Sequence, residues 1–428
     1  MDSSSSGKRE FIFLAALLAA AFIVRLLLYP QQGYPIDTGD FTSWFNTAAS
    51  GGISGFYNST WCDYPPFNIY LFWFFGNIAN AAQAAGINAV NIVKLAPTIF
   101  DIATCILLYV FLRKQFGFKK TLLATSLYAF NPAVIFNVAW WGQFDAIYTF
   151  FMVAALMLAL RKKPELAAVI FGIALLTKPQ GIALLPLVAL VIFMKVGPKR
   201  FLTSVAAFAA TIFVFIAPFQ GALSNPVSFL SNIYFGAYGT YNYTSINAFN
   251  IWGMFGMWVP DDGLNILGWG LFAAFVALFL FVTYKRFKEE GEALVFFSAS
   301  MIFFAFFMLP TRIHERYLFP VLSVLALCFL LYKKSRIIYA ALTATVLANQ
   351  AYILYWLNVS YPNASPNLTG DPVVLVVSII NLVMFLYGTL LMVGMLRGQP
   401  MKTPAELPPS QTAKGEMHSD IRPENNQS

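Results

Sequence analysis

The sequence predicts an all-α, polytopic membrane protein, and three observations predict it. Of 428 residues 59% are hydrophobic and only 11% are charged, against roughly a quarter charged in an average soluble domain. About a dozen apolar stretches of about twenty residues, each the length of one bilayer crossing, use more than half of the chain. Aromatic residues make up 17%, with 44 Phe, 20 Tyr and 9 Trp, which suits a large surface at the membrane–water interface. A soluble enzyme is excluded on composition. A porin-like barrel is excluded because its strands of about ten residues alternate apolar and polar, whereas these stretches run continuously apolar.

The first span, 11–29, follows a short polar start, 1–10, that carries Lys8 and Arg9. No small-residue cleavage site follows it, so it reads as an uncleaved anchor with a cytoplasmic N-terminus. The polar stretch 30–65 is then outside. Two apolar segments follow, 66–82 and 91–112, and the second ends in the basic run Arg113, Lys114, Lys119, Lys120. Were both to cross, that run would face outside. The positive-inside rule is met when 66–82 is an interfacial or re-entrant helix of the first outer segment, 30–90. The basic groups at 161–163, 195–200, 284–288 and 333–336 then all fall inside. This gives about twelve transmembrane helices over 11–397, a second long outer loop at 219–265, and a disordered cytoplasmic tail at 398–428.

The net charge of +8 comes from 27 Lys and Arg clustered between spans, which is a topology signal and not a nucleic-acid footprint. Three cysteines, Cys62, Cys105 and Cys328, are too few and too scattered for a disulfide framework or a zinc site. Sequons at Asn58, Asn242, Asn358, Asn363 and Asn367 fall on the outer face, compatible with a glycosylating compartment. No internal repeat is visible, which weighs against a transporter built from repeats.

Polar residues kept at one face of a membrane protein are functional candidates, and four groups gather outside. The first holds Asp37 and Asp40, before Phe41 and Trp44, and further on Asp63 and Tyr64, before Pro65 and Pro66. Asp37 and Asp40, three apart, share a face if a helix begins there, and otherwise read as helix caps. The second is Trp140-Trp141-Gly142-Gln143-Phe144-Asp145; the Trp pair reads as an interfacial anchor, which leaves Gln143 and Asp145 unexplained. The third is Thr177-Lys178-Pro179-Gln180, where Lys178 breaks the positive-inside pattern and asks for an anionic partner. The fourth runs from Pro310 to Pro320 and carries Arg312, His314 and Arg316. Its arginines share a helical face if the turn begins the next span, and guanidinium groups bind phosphate bidentately; the competing reading is side chains snorkelling to the headgroups. Arg25, in the outer half of the first span, reads equally as a member of this cationic group or as a snorkelling residue.

Together these groups place carboxylates opposite a cationic site of Lys178, Arg312, His314 and Arg316, which an anionic lipid head would fill. Such a site suits transfer of a group from a lipid phosphate, an Asp deprotonating the attacking hydroxyl while cations stabilise the departing phosphate. For a sugar this single displacement inverts the anomeric centre.

The order of these motifs, Asp-Tyr-Pro-Pro, Trp-Gly-Gln-Phe-Asp, Thr-Lys-Pro-Gln and His-Glu-Arg-Tyr-Leu-Phe-Pro after an outer Asp motif, resembles the GT-C superfamily of polyprenyl-phosphate-sugar-dependent glycosyltransferases. It resembles most the prokaryotic integral-membrane mannosyltransferase-like members, and more distantly the endoplasmic-reticulum glucosyltransferases that use dolichyl-phosphate-glucose. The resemblance covers about residues 20–330. It implies a GT-C-like fold and a catalytic Asp in the first outer loop, matched by Asp40 and less well by Asp37. It implies a donor or acceptor pocket at Asp63, Gln143 and Asp145, and a lipid-phosphate site at Lys178, His314 and Arg316; Tyr64, Gln180 and Arg312, from the same motifs, are further substrate-binding candidates. The implied partners are a polyprenyl- or dolichyl-phosphate-linked mannose or glucose, a glycan or glycolipid acceptor, and membrane lipids. No cofactor is implied with certainty; a divalent cation stays open, since the outer motif is Asp-Thr-Gly-Asp and not Asp-x-Asp. The chain lacks the large soluble C-terminal domain of oligosaccharyltransferases, an expectation against transfer to protein sequons. The expected compartment is the plasma membrane of a prokaryote, with the endoplasmic reticulum as alternative. The rival class is a multi-pass transporter or lipid flippase, kept open by Asp101 inside an apolar span.

Overall fold

The computed structural model describes residues 3–239, 241–360, 367–399 and 401; the sequon at Asn363 and the tail from 402 onward lie outside the described residues. Among the described residues the chain is helical, with isolated bridges such as Tyr243 to Pro260 and Ile246 to His314 in place of strands. In chain order the helices are α1 (Ser3–Leu28), α2 (Pro35–Gly51), α3 (Phe56–Ser59), α4 (Pro66–Ala84), α5 (Ala89–Arg113), α6 (Phe118–Ala129) and α7 (Pro132–Ile135). A π-helical turn (Phe136–Trp141) leads to α8 (Asp145–Leu160) and α9 (Pro164–Leu175), and a 3-10 turn (Pro179–Leu184) leads to α10 (Leu185–Ile216). The remainder are α11 (Pro226–Gly239), α12 (Leu264–Glu290), α13 (Glu292–Met308), α14 (Phe319–Leu331), α15 (Ser335–Val359) and α16 (Pro372–Leu396).

Six of these helices are long and apolar enough to cross a membrane, and the pair Phe118–Ala129 and Pro132–Trp141, bent by 42°, makes a seventh if taken as one span. Where the sequence counts further full spans, the structure has four shorter apolar helices, α8, α9, α13 and α14, of 16, 12, 17 and 13 residues. At about 1.5 Å per residue the shortest of them reach about 20 Å, short of the ~30 Å hydrocarbon thickness. α13 is buried at every position from Ala293 to Met308 and α14 at nearly every one, as expected of helices apolar on every face, while α9 leaves Leu166 exposed. The candidate site lies at the ends of these short helices, before α8, after α9 and between α13 and α14. One further break lies inside α10, where Gly197 takes φ 74° just before Pro198, so the basic stretch 195–200 forms a bend between two helical arms.

The segment after α1 is built around α2 and α4. Phe41, Trp44, Phe45 and Ala48 recur at helical spacing and are the buried face of α2; Phe41 stacks on Phe144 with centroids 4.5 Å apart, and Trp44 on Phe72 at 5.7 Å. Gly76 lets α4 approach, since a Cβ there would fall 2.3 Å from the Phe45 carbonyl. The helix α4 is not among the span-length apolar helices.

The basic groups gather at the opposite end of the body. Arg113 makes a two-bond pair with Glu10, Arg161 lies over Phe111, Arg200 reaches the Lys162 carbonyl and Glu165, and Lys195 lies over Phe287. Asp101, which kept the transporter reading open, is answered within the core. Arg25 donates to it at 2.5 Å and to the carbonyls of Ala21 and Ala129, with both side chains fully buried. Arg25 therefore neither joins the site nor snorkels, because Asp101 neutralises it where it stands.

Candidate active site

A cavity of about 980 Å³ opens where the segment after α1 meets the turns before α8, after α9 and before α14. Asp37, Asp40, Asp63, Tyr64, Gln143, Lys178, Gln180, Arg312, His314 and Arg316 all line it, brought together from five separate stretches of chain. Asp145 does not line it.

The carboxylate wall is the first turn and a half of α2. The helix starts at Pro35 without a side-chain cap, so neither Asp serves as an N-cap. Asp37 instead accepts two hydrogen bonds on Oδ2, from Trp141 Nε1 at 2.8 Å and from Gln143 Nε2 at 2.7 Å. Those donors are placed by the π-helical turn, which ends at Gly142 with φ 88° while the amides of Gly142 and Gln143 both bond back to the Asn137 carbonyl. Such single-turn π-helices recur at functional sites. The second tryptophan of the pair is thus a site residue and not a membrane anchor. Asp40, one helical turn along, accepts no hydrogen bond from any described residue. Partial burial and the neighbouring Asp37 charge push its carboxyl above the ordinary aspartate range, which strengthens it as a base.

The opposite wall comes from the ends of the short central helices. Lys178 Nζ bonds Asp145 Oδ1 at 2.7 Å, and Asp145 also accepts from Asn137 Nδ2 at 3.2 Å. Asp145 therefore backs Lys178 from outside the cavity, a correction to its expected place in the substrate pocket. Burial lowers the Lys178 ammonium below the usual lysine range, while Asp145 opposes that shift. Arg316 bonds Glu315 at 2.7 Å and stands 3.9 Å from Asp145. His314 is held well below the ordinary histidine range by burial and then by the charges of Arg316 and Lys178, so at neutral pH it is an uncharged imidazole with one N–H to give. Burial also raises Asp63 and Glu315, against the pull of Arg316.

Two expectations about this wall fail. Arg312 and Arg316 do not share a helical face: the stretch before α14 is irregular, and Arg312 has φ 65°. Arg312 is turned onto Asp261 at 2.7 Å and over the Tyr238 ring at 4.4 Å, where it ties the loop 219–265 to the site. Nor is the wall a bare cationic patch, because Lys178, Arg312 and Arg316 each have a carboxylate partner. Burying three cations unpaired would cost several kcal/mol for each ion, which a sequence scan for basic residues does not weigh. Of the loop tyrosines, Tyr234, Tyr238 and Tyr241 line the cavity and Tyr243 does not; Tyr243 packs on Trp258 with centroids 5.2 Å apart. Among the described residues no three His, Cys, Asp or Glu side chains gather as a metal cage.

Sequence reasoning missed Trp141, Glu315 and Asp261 as parts of this arrangement. Glu315 lay between two chosen residues, and its burial is the signal that was unreadable; Asp261 has no local motif.

In comparison with known proteins, no curated protein matches the chain. Among solved structures it is similar to two crystal structures of the Archaeoglobus fulgidus oligosaccharyltransferase. One is the apo form, with 13% identity, a TM-score of 0.40 and coverage of 96% of this chain and 60% of that one. The other is tethered with an acceptor peptide containing the NVT sequon via a disulfide bond, with 14% identity, a TM-score of 0.40 and coverage of 96% and 59%. The chain thus spans about 60% of the length of these structures. The profile of Glycosyltransferase family 87 matches residues 61–311, a stretch that runs from Trp61 beside Asp63 to Thr311 beside Arg312 and takes up more than half of the 428 residues. The resemblance to GT-C glycosyltransferases therefore stands, and the chain belongs to glycosyltransferase family 87.

Proposed function

We propose that this multi-pass membrane glycosyltransferase moves a hexose, mannose or glucose, from a polyprenyl- or dolichyl-phosphate donor to a glycan or glycolipid acceptor, with inversion and on the extracytoplasmic side of a prokaryotic plasma membrane. The observation that carries this reading is the pairing, across one cavity, of two carboxylates on one helical turn with Lys178, His314 and Arg316. Asp40 is the base: its carboxylate accepts no hydrogen bond from any described residue and is raised in basicity, whereas Asp37 Oδ2 is engaged by Trp141 and Gln143. The acceptor oxygen forms its bond to the anomeric carbon as the bond from that carbon to the phosphate oxygen breaks. The hydroxyl proton goes to Asp40, and the phosphate leaves with the bonding electron pair. Arg316, Lys178 and the His314 N–H meet the departing phosphate, and their burial strengthens what those charges do there. Asp63, Tyr64, Gln143 and Gln180 offer polar groups to the hexose, and Tyr234, Tyr238 and Tyr241 offer ring faces to the sugar or to the first isoprene units.

The test is release of polyprenyl phosphate from radiolabelled polyprenyl-phosphate-mannose and -glucose by purified protein in nanodiscs, with membrane extract as acceptor source. Transfer by the wild type that disappears in Asp40→Asn supports the reading. Failure to bind or consume any of these donors overturns it.

A further inference from the structure

Lys94 is a buried cation that no carboxylate answers. It lies in α5, 1% exposed, and among the described residues it forms no ion pair. Its Nζ instead donates to three backbone carbonyls, those of Tyr29 at 3.0 Å, Gln31 at 2.7 Å and Trp140 at 2.8 Å. An ammonium has three N–H donors, so all are spent on the backbone and none remains for a ligand.

The acceptors identify what this lysine joins. Tyr29 and Gln31 lie on the stretch that leads from α1 into α2, and Trp140 lies in the π-helical turn. The first stretch sets the start of the helix that carries Asp37 and Asp40. The second sets Trp141 and Gln143, whose side chains hold Asp37 Oδ2. Glycines let the parts close together: a Cβ on Gly142 would sit 3.2 Å from Lys94 Cγ, and one on Gly33 would sit 2.4 Å from the Trp141 carbonyl oxygen.

We propose that Lys94 is a positioning residue for the reaction carboxylates, clamping the entrance to α2 against the π-helical turn so that Trp141 and Gln143 stay fixed on Asp37. This rests on the reading of Asp37 and Asp40 as the reaction carboxylates. Lys178, His314 and Arg316 come from other elements and are linked to the π-helical turn through the Asn137 bond to Asp145, so loss of the clamp disturbs the carboxylate wall more than the phosphate-binding wall. The consequence is a fall in kcat that exceeds any change in donor KM, since Gln143, which also faces the hexose, moves with the turn.

The experiment uses the full chain in nanodiscs, ¹⁵N-labelled at the Trp indoles, with the Trp141 resonance assigned by its loss in Trp141→Phe. In Lys94→Met that resonance shifts or broadens, and kcat falls about 10²-fold, the scale of an ångström-sized misplacement of a catalytic group. Lys94→Arg, which keeps a charge and several donors, recovers part of both. Lys94→Gln, with fewer donors, falls between Arg and Met and is read in place of Met if that variant does not fold. An unmoved Trp141 resonance with unchanged kcat, or a rise in KM alone, overturns the proposal. Should the wild type transfer from none of the donors, the functional reading fails, while the indole resonance still decides whether Lys94 holds the turn on Asp37.

Discussion

Lys178 and Asp145 form a 2.7 Å ion pair in which only the lysine faces the cavity. The carboxylate lies on the first residue of α8 and the lysine just before the 3-10 turn, so the pair also fixes the floor of the cavity. For Lys178 to meet a phosphate it must carry its proton. Burial already moves its titration below the usual lysine range and Asp145 opposes that move, so raising the pH strips the proton and weakens donor binding on the alkaline side. In Asp145→Asn the opposing charge is gone and this alkaline limb moves to lower pH; donor KM measured across pH reads it. Because the partner left behind is a buried charge, the same variant loses about 3–5 kcal/mol of stability, read by denaturation in detergent. An alkaline limb that stays in place in Asp145→Asn contradicts the assignment of Lys178 to the phosphate.

With Asp40 as the proposed base, the acid side of the profile is expected to follow its titration. A base works deprotonated, and burial with the Asp37 charge raises the pH at which Asp40 gains its proton. Activity therefore falls as pH drops through a value above the ordinary aspartate range. Asp37→Asn removes the neighbouring charge and moves this limb to lower pH, whereas Asp40→Asn abolishes it and lowers kcat by about 10²–10⁴-fold. A kcat/KM profile of both variants separates the roles, and an acid limb that survives in Asp40→Asn assigns the base elsewhere.

The two arginines before α14 are expected to behave differently. In the proposed reaction Arg316, between Glu315 and Asp145 at the cavity, meets the phosphate, so Arg316→Ala is expected to raise donor KM and lower kcat together. Arg312 latches Asp261 and the Tyr238 ring. Arg312→Ala therefore speeds hydrogen exchange in α11 and the loop around Asp261, with a smaller loss of rate. Equal kinetic losses with no change in exchange would put Arg312 on the phosphate as well.

The buried pair of Arg25 and Asp101 is a matter of stability. Removing one partner, as in Asp101→Asn, leaves the other charge uncompensated and costs about 3–5 kcal/mol. Replacing both, as in Arg25→Met with Asp101→Leu, restores much of that loss. Donor KM is unchanged in the double variant, since neither residue lines the cavity. A specific loss of transport in a flux assay, with the fold intact, would instead revive the transporter reading.

The sequence by itself determined the class of the protein, a helical multi-pass membrane glycosyltransferase, and several of the polar residues that the fold brings to one cavity. These follow from hydrophobic runs and from charge that must avoid hydrocarbon, both properties of short stretches of chain. For the same reason it picked out Asp37, Asp40, Asp63, Lys178, His314 and Arg316, because polar groups amid apolar sequence are conspicuous wherever they end up. What each residue touches was settled only by tertiary structure. Asp145 is the partner of Lys178, Arg312 of Asp261 and Arg25 of Asp101, and Lys94 donates to three backbone carbonyls. These partners are 33, 51 and 76 residues apart for the three ion pairs and 46 to 65 for the Lys94 contacts. A buried charge takes whichever partner packing brings within about 3 Å, since leaving it unpaired costs more than any local preference supplies. The choice of partner is therefore made by the helix packing, which the local pattern of residues does not contain.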